Sequence, residues 1–119
     1  MNAMKRVEKP WGWELWWAVT DRYVGKVIHV RAGEALSLQY HQRKKESMLF
    51  WEGEGVLTLG DAERRVRPME AVTIEPGTVH RIRAITDLTF MEVSTPEVDD
   101  VVRLADDYGR AASSPTETS

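Results

Sequence analysis

Along most of the chain, apolar and polar side chains alternate with a period of two rather than 3.6, the pattern of half-buried β-strands. Between Tyr23 and Arg31, Val24, Ile28 and Val30 share one side, with Lys26 as the polar exception, and Gly25, Val27, His29 and Arg31 share the other. Short runs of the same kind occupy 35–41, 47–51, 55–59, 64–67, 71–74, 80–85 and 88–93. Turn-forming pieces rich in glycine, proline and acidic residues separate them at 31–34, 52–55, 59–62, 75–77 and 85–87. Many short strands at close spacing predict an all-β sandwich or barrel. Only 99–107 reads as helical, with Asp99 or Asp100 as its cap and Val101, Val102 and Leu104 as a short apolar side.

Four tryptophans crowd one short segment. Read as a strand, it places Trp11, Trp13, Leu15 and Trp17 on one face and Glu14, Trp16 and Ala18 on the other. Indoles on both faces imply that one side is covered by another subunit, because isolated proteins seldom leave such an area wet. A homodimer is the expectation. At the C-terminal end, 111–119 is small and polar with nothing to bury, which predicts a flexible tail behind a single domain over 1–110.

Composition narrows the functional classes. The 119 residues include 42% hydrophobic and 29% charged side chains, a balance that folds rather than stays disordered. With 16 basic against 19 acidic residues, nothing draws the chain to nucleic acid or to an anionic membrane. The absence of cysteine excludes disulfides, thiolate metal sites and a cysteine nucleophile. No apolar run approaches the roughly 20 residues of a membrane span, and the N-terminal residues lack a signal peptide's apolar segment, so a cytoplasmic protein is expected.

The sharpest chemistry lies in Gln39-Tyr40-His41, in Glu46, and in His80 just after Pro76-Gly77. Gln39 and His41 are two residues apart, so both project from one strand face, with Leu36, Leu38 and Tyr40 on the other. A hairpin through the charged turn 42–45 returns Glu46 beside His41, and His80 opens a strand that can meet them from across a barrel. Two imidazoles, a carboxylate and an amide oxygen suit a divalent first-row metal with one or two open positions. The basic turn Arg43-Lys44-Lys45 is either a solvated loop or a phosphate contact. His29 is either a hydrogen-bonded interior histidine or an acid–base group lining the barrel, and Glu92 either reaches the cavity or marks a wet edge.

These residues resemble the cupin signature. Gly33, Gln39, His41, Glu46 and Gly53 fit the spacing of its first motif, with Gln39 where most cupins carry histidine. Gly77 and His80 fit the second, in which Glu75, Ala84 and Met69 replace the usual proline, asparagine and glycine. A narrower similarity covers nearly the whole body. Lys9-Pro10-Trp11-Gly12, Leu36-Ser37-Leu38-Gln39-Tyr40-His41 and the stretch from Asp99 through Asp107-Tyr108-Gly109-Arg110 resemble the type II phosphomannose isomerase cupin, a module found alone or at the C-terminal end of mannose-1-phosphate guanylyltransferases. That resemblance implies a jelly-roll barrel, one divalent metal (zinc, manganese, iron, nickel or cobalt), Gln39 in place of the first histidine ligand, and sugar-phosphate chemistry. It also makes Lys9 a candidate sugar-phosphate contact. The isomerases usually continue the site as a His-rich, Arg-containing stretch ending in Glu-His-Trp. Here Gln42-Arg43-Lys44-Lys45 and Glu46-Ser47-Met48 stand instead, so the ligands remain while the flanking groups differ.

The functional expectation is aldose–ketose isomerisation of a hexose phosphate such as mannose 6-phosphate. Lewis-acid stabilisation of an enediolate would lower the barrier, and metal-bound hydroxide, Lys44 or His29 would serve as the base. The rival readings are a non-catalytic sugar-binding or sensing module and a metal-dependent dioxygenase. These 119 residues hold no Gly-rich phosphate loop for nucleotidyl transfer.

Overall fold

The computed structural model describes residues 4–110, so the tail expected over 111–119 lies outside the described residues. The strands are β1 (Lys5–Lys9), β2 (Gly12–Val19), β3 (Val24–Val30), β4 (Leu38–Tyr40), β5 (Glu46–Glu52), β6 (Gly55–Leu59), β7 (Ala62–Val66), β8 (Ala71–Ile74), β9 (His80–Ala84), β10 (Leu88–Ser94) and β11 (Val102–Ala105). They form two antiparallel sheets, ordered β1-β2-β3-β10-β5-β8 and β11-β4-β9-β6-β7. The sheets face each other as a jelly roll and are not joined by hydrogen bonds into a closed barrel.

Turn chemistry explains the tight connections. Gly53 has φ +85°, and a Cβ there would sit 1.9 Å from the carbonyl oxygen of Asp87, so the β5–β6 turn admits only glycine. In β2 a register shift between Trp16 and Ala18 makes a bulge at Trp17, whose indole lies across Gly25 on the outer face.

Register divides the inner face of the six-stranded sheet into two zones. Glu14, Ile28, Phe90 and Phe50 form one row across β2, β3, β10 and β5, and Gly12, Val30 and Leu88 form the next. Together with Trp11, and with Leu57, Val66, Ile82 and Ala84 of the opposite sheet, the apolar members of these rows build the core. Toward the other end the rows become polar: Trp16, Lys26, Glu92 and Met48, then Val24, Ser94, Glu46 and Ile74. The apolar end supplies the burial that stabilises the sandwich, and the polar end holds the buried charged side chains Lys26, Glu46 and Glu92.

Four readings of local geometry need correction. The segment expected to be a helix is strand β11, paired with the open edge of β4. Its true period is two, with Val101 and Arg103 buried, and β-branched Val102 suits a strand. Leu36 joins the core rather than facing away from Gln39, because 35–37 holds only an isolated bridge and the alternation breaks there. Trp11 sits in the β1–β2 turn and is fully buried, leaving Trp13, Leu15 and Trp17 as the outer face of β2. His29 lies on the outer face of β3, stacked on Trp13 and bonded through Nδ1 to Thr89 Oγ1 at 2.9 Å, so it does not line the interior.

Candidate metal centre

Three strands bring the candidate residues together. Just past the end of β4, His41 is placed by its strand, Glu46 opens β5, and His80 opens β9 opposite Gln39 in the β4–β9 register. Ligand atoms of His41, Glu46 and His80 all lie within 4.8 Å of one another, and all three residues are buried. His41 Nε2 is 2.9 Å from Glu46 Oε1, and His80 Nε2 is 3.4 Å from the same oxygen. Around a metal with bonds of about 2.0–2.1 Å, tetrahedral ligands stand roughly 3.3 Å apart, so these separations match such a shell.

Hydrogen bonding fixes which atoms face inward. His41 Nδ1 lies 2.7 Å from the Asp100 carbonyl oxygen, and His80 Nδ1 lies 2.9 Å from that of Thr78. A carbonyl only accepts, so each Nδ1–H donates and each ring turns its Nε2 to the centre. Gln39 is oriented in the same manner, with Nε2 donating to Ser37 Oγ at 2.9 Å. Its Oε1 is then buried without a hydrogen-bond partner, as are His41 Nε2 and Glu46 Oε1. Buried electron-pair donors left without hydrogen bonds are groups that a cation satisfies. Oxygen and nitrogen donors of this kind fit a divalent first-row ion.

Charge around the centre is organised in pairs. The Lys44 ammonium lies 3.3 Å from Glu92 Oε2, and Lys26 Nζ lies 3.5 Å from Glu14 Oε1, all four side chains being buried. Trp16 Nε1 donates to Glu14 Oε1 at 2.8 Å, and Lys26 Nζ sits 4.5 Å from the centre of the Trp16 ring. Burial alone would raise the Glu46 carboxyl, but the Lys44 ammonium holds it well below the usual carboxylate range. Glu92 moves the opposite way: burial, then the neighbouring Glu46 charge, push it up to about 8. For Lys44, burial would lower the value, yet Glu92 and then Glu46 hold its ammonium above the ordinary lysine range.

Residues 1–106 match the family described as mannose-6-phosphate isomerase C-terminal. The chain belongs to that family. Among curated relatives of this family member, the mannose-1-phosphate guanylyltransferase of Escherichia coli K12 is 34% identical over 111 residues, covering 89% of this chain and 23% of the relative. The xanthan biosynthesis protein XanB of Xanthomonas campestris is 31% identical, covering 89% and 24%. The chain thus spans about a quarter of the length of the curated relatives it matches. Its fold is that of cupins. The capsular polysaccharide assembling protein CapF of Staphylococcus aureus superposes with a TM-score of 0.76 at 22% identity, covering 88% of this chain and 35% of that one. KdgF of a Halomonas species superposes with 0.73 at 19% identity, covering 82% and 91%.

Lys44, Arg43 and Lys9 differ in how they stand to this cluster. Lys44 is not an open phosphate grip or a free base, because its ammonium is buried in the pair with Glu92. Arg43 has an exposed side chain and contributes its backbone N–H to Asp100 Oδ2 at 2.6 Å. Lys9 pairs with Gly12 at the apolar end of the sheet. That is four residues, or about 14 Å, along β2 from the Trp16–Lys26 row. Sequence reasoning left Glu92 open and missed Asp100 as a site residue. The phase of Glu92 with Leu88 and Phe90 was the signal for the first, whereas nothing local announces that Asp100 wraps the loop after His41. No helix among the described residues is long and apolar enough to cross a membrane.

Proposed function

We propose that this chain is a divalent-metal module acting on a small sugar phosphate, by aldose–ketose isomerisation of the mannose 6-phosphate type. The observation that carries the metal reading is the convergence of His41, Glu46 and His80 in one buried cluster, with Gln39 on the strand paired to His80 and its Oε1 buried without a hydrogen bond. Zinc, manganese, iron, nickel or cobalt would be held by these four residues, and when bound would supply Lewis acidity toward a carbonyl and its neighbouring hydroxyl. Glu46 presents an ionised carboxylate, and the two rings, fixed through their Nδ1 atoms, present lone pairs without needing to reorganise. The sugar-phosphate reading is supported by the family and by relatives named for mannose-1-phosphate chemistry. Incubating the metal-loaded protein with mannose 6-phosphate in D2O tests it: fructose 6-phosphate should form with deuterium at C1, and mannose 6-phosphate re-formed by the reverse reaction should carry deuterium at C2. Binding without exchange would contradict isomerisation and favour the sensing reading, toward which the buried Lys44 already leans.

A homodimer is part of the same proposal. On the outer face of the six-stranded sheet, Leu15, Val27, Met91, Leu49 and Ala71 form one uninterrupted row across five strands. Trp17, Val93 and Trp51 flank it at 44%, 49% and 48% exposure, and a groove of about 310 Å³ runs beside Trp17, Leu49, Met91 and Val93. A solvated antiparallel sheet normally shows polar side chains on that face. Five strands spaced by about 4.8 Å and some seven residues long give roughly 24 by 24 Å, on the order of 600 Å² before side-chain relief, against about 800 Å² per partner in a standard interface. The row carries no charge, so two copies can stack without opposing like charges. Sedimentation should give a dimer, and Leu49→Lys should weaken it at least about a hundredfold with metal content unchanged. A wild-type monomer at 100 µM-scale concentration would rule this pairing out.

A further inference from the structure

The ligands His41 and Glu46 bracket a four-residue loop, and every residue of that loop is tied to the segment 95–100. Asp100 Oδ1 accepts from the Gln42 N–H at 3.0 Å, and Oδ2 accepts from Arg43 at 2.6 Å and Lys44 at 2.9 Å. Lys45 completes the set: its N–H donates to Thr95 Oγ1 at 3.0 Å, and its carbonyl accepts from the Thr95 N–H at 3.0 Å. The backbone carbonyl of Asp100 is also the acceptor that orients the His41 ring. Two residues further on, β11 begins to pair with β4, placing Arg103 opposite Gln39. One residue near the C-terminal end therefore touches the machinery that positions three of the four ligands, and none of its atoms faces the centre itself.

We propose that Asp100 is a positioning residue that couples metal binding to docking of the C-terminal strap formed by 95–105. This inference rests on the metal reading above. The carboxylate gathers three backbone N–H groups into one turn, which fixes the distance between His41 and Glu46, while the carbonyl fixes the His41 tautomer. Undocking the strap releases both constraints together. By reciprocity, if docking strengthens metal binding by some factor, metal binding strengthens docking by the same factor. The strap is thus a device through which anything that grips 95–105 changes metal occupancy.

The test is a zinc titration against a competing chelator on the full chain, comparing wild type, Asp100→Ala and Asp100→Asn. Asp100→Ala should weaken zinc about 10–100-fold at unchanged one-to-one stoichiometry. Asp100→Asn keeps an amide oxygen for some of the N–H groups and should lose less, a partial rescue that loss of bulk packing would not produce. With cobalt in place of zinc, the visible ligand-field bands of Asp100→Ala should shift as the His41 geometry relaxes. A second measurement needs no variant: hydrogen exchange at the amides of Gln42, Arg43 and Lys44 in wild type should slow when zinc is added. If Asp100→Ala binds within about twofold of wild type, or those amides exchange equally with and without zinc, the coupling is overturned. If wild type takes up no zinc at all, it is the metal reading that fails.

Discussion

Replacing Lys44 by methionine should destabilise the fold by about 3–5 kcal/mol, the range for breaking a buried ion pair from one side. The ammonium is buried and faces Glu92 at 3.3 Å, with the Glu46 charge close behind. Removing it strips the nearest counter-charge from two carboxyl groups in a low-dielectric interior, the costly half of a buried pair. Urea denaturation of the metal-free protein measures the loss directly. The double variant Lys44→Met with Glu92→Leu should recover most of it, because the pair is then replaced by apolar volume. A surface lysine used only to grip phosphate would behave differently. In that case Lys44→Met would lose under 1 kcal/mol of stability, and the structural role argued here would be wrong.

Substituting either histidine ligand should cost two to three orders of magnitude in metal affinity. A structural zinc site binds with roughly 10–16 kcal/mol, so an equal share for each of four ligands is about 2.5–4 kcal/mol. His80→Ala removes a lone pair that no neighbour can supply. His41→Ala removes another and also vacates the Asp100 carbonyl. Gln39→Leu should cost less, since a neutral amide oxygen is the weakest donor of the four. Chelator competition ranks the variants; equal affinities for wild type and His80→Ala would remove that ring from the ligand set.

Much of this was legible before any coordinates, for definite reasons. Strands β6 and β8 match their sequence runs at both ends, because strict alternation bounded by glycine or proline turns leaves one solution. The clustering of His41, Glu46 and His80 was expected from the strand placement of His41 and from the spacing to Glu46 and His80, which resembles the family motif. Other features depended on partners remote in sequence. β11 looked helical because Val101 and Leu104 fall three apart, and only the free edge of β4 makes the strand the better outcome. His29 was ambiguous because both faces of β3 carry residues that can be covered, one by the core and the other by Trp13. Lys44 was misread because loop position predicts solvent, whereas its long stem carries the ammonium inward to Glu92. Charge runs report average behaviour, and one buried acid on a strand far along the chain is enough to override it.

The most direct measurement is X-ray absorption at the zinc edge on the full chain loaded with one equivalent of zinc. The account predicts a single site with two imidazole nitrogens and oxygen donors at about 2.0–2.2 Å, the imidazole scattering falling to one ring in His80→Ala. A spectrum showing only oxygen neighbours, or two imidazoles that persist in His80→Ala, would contradict it.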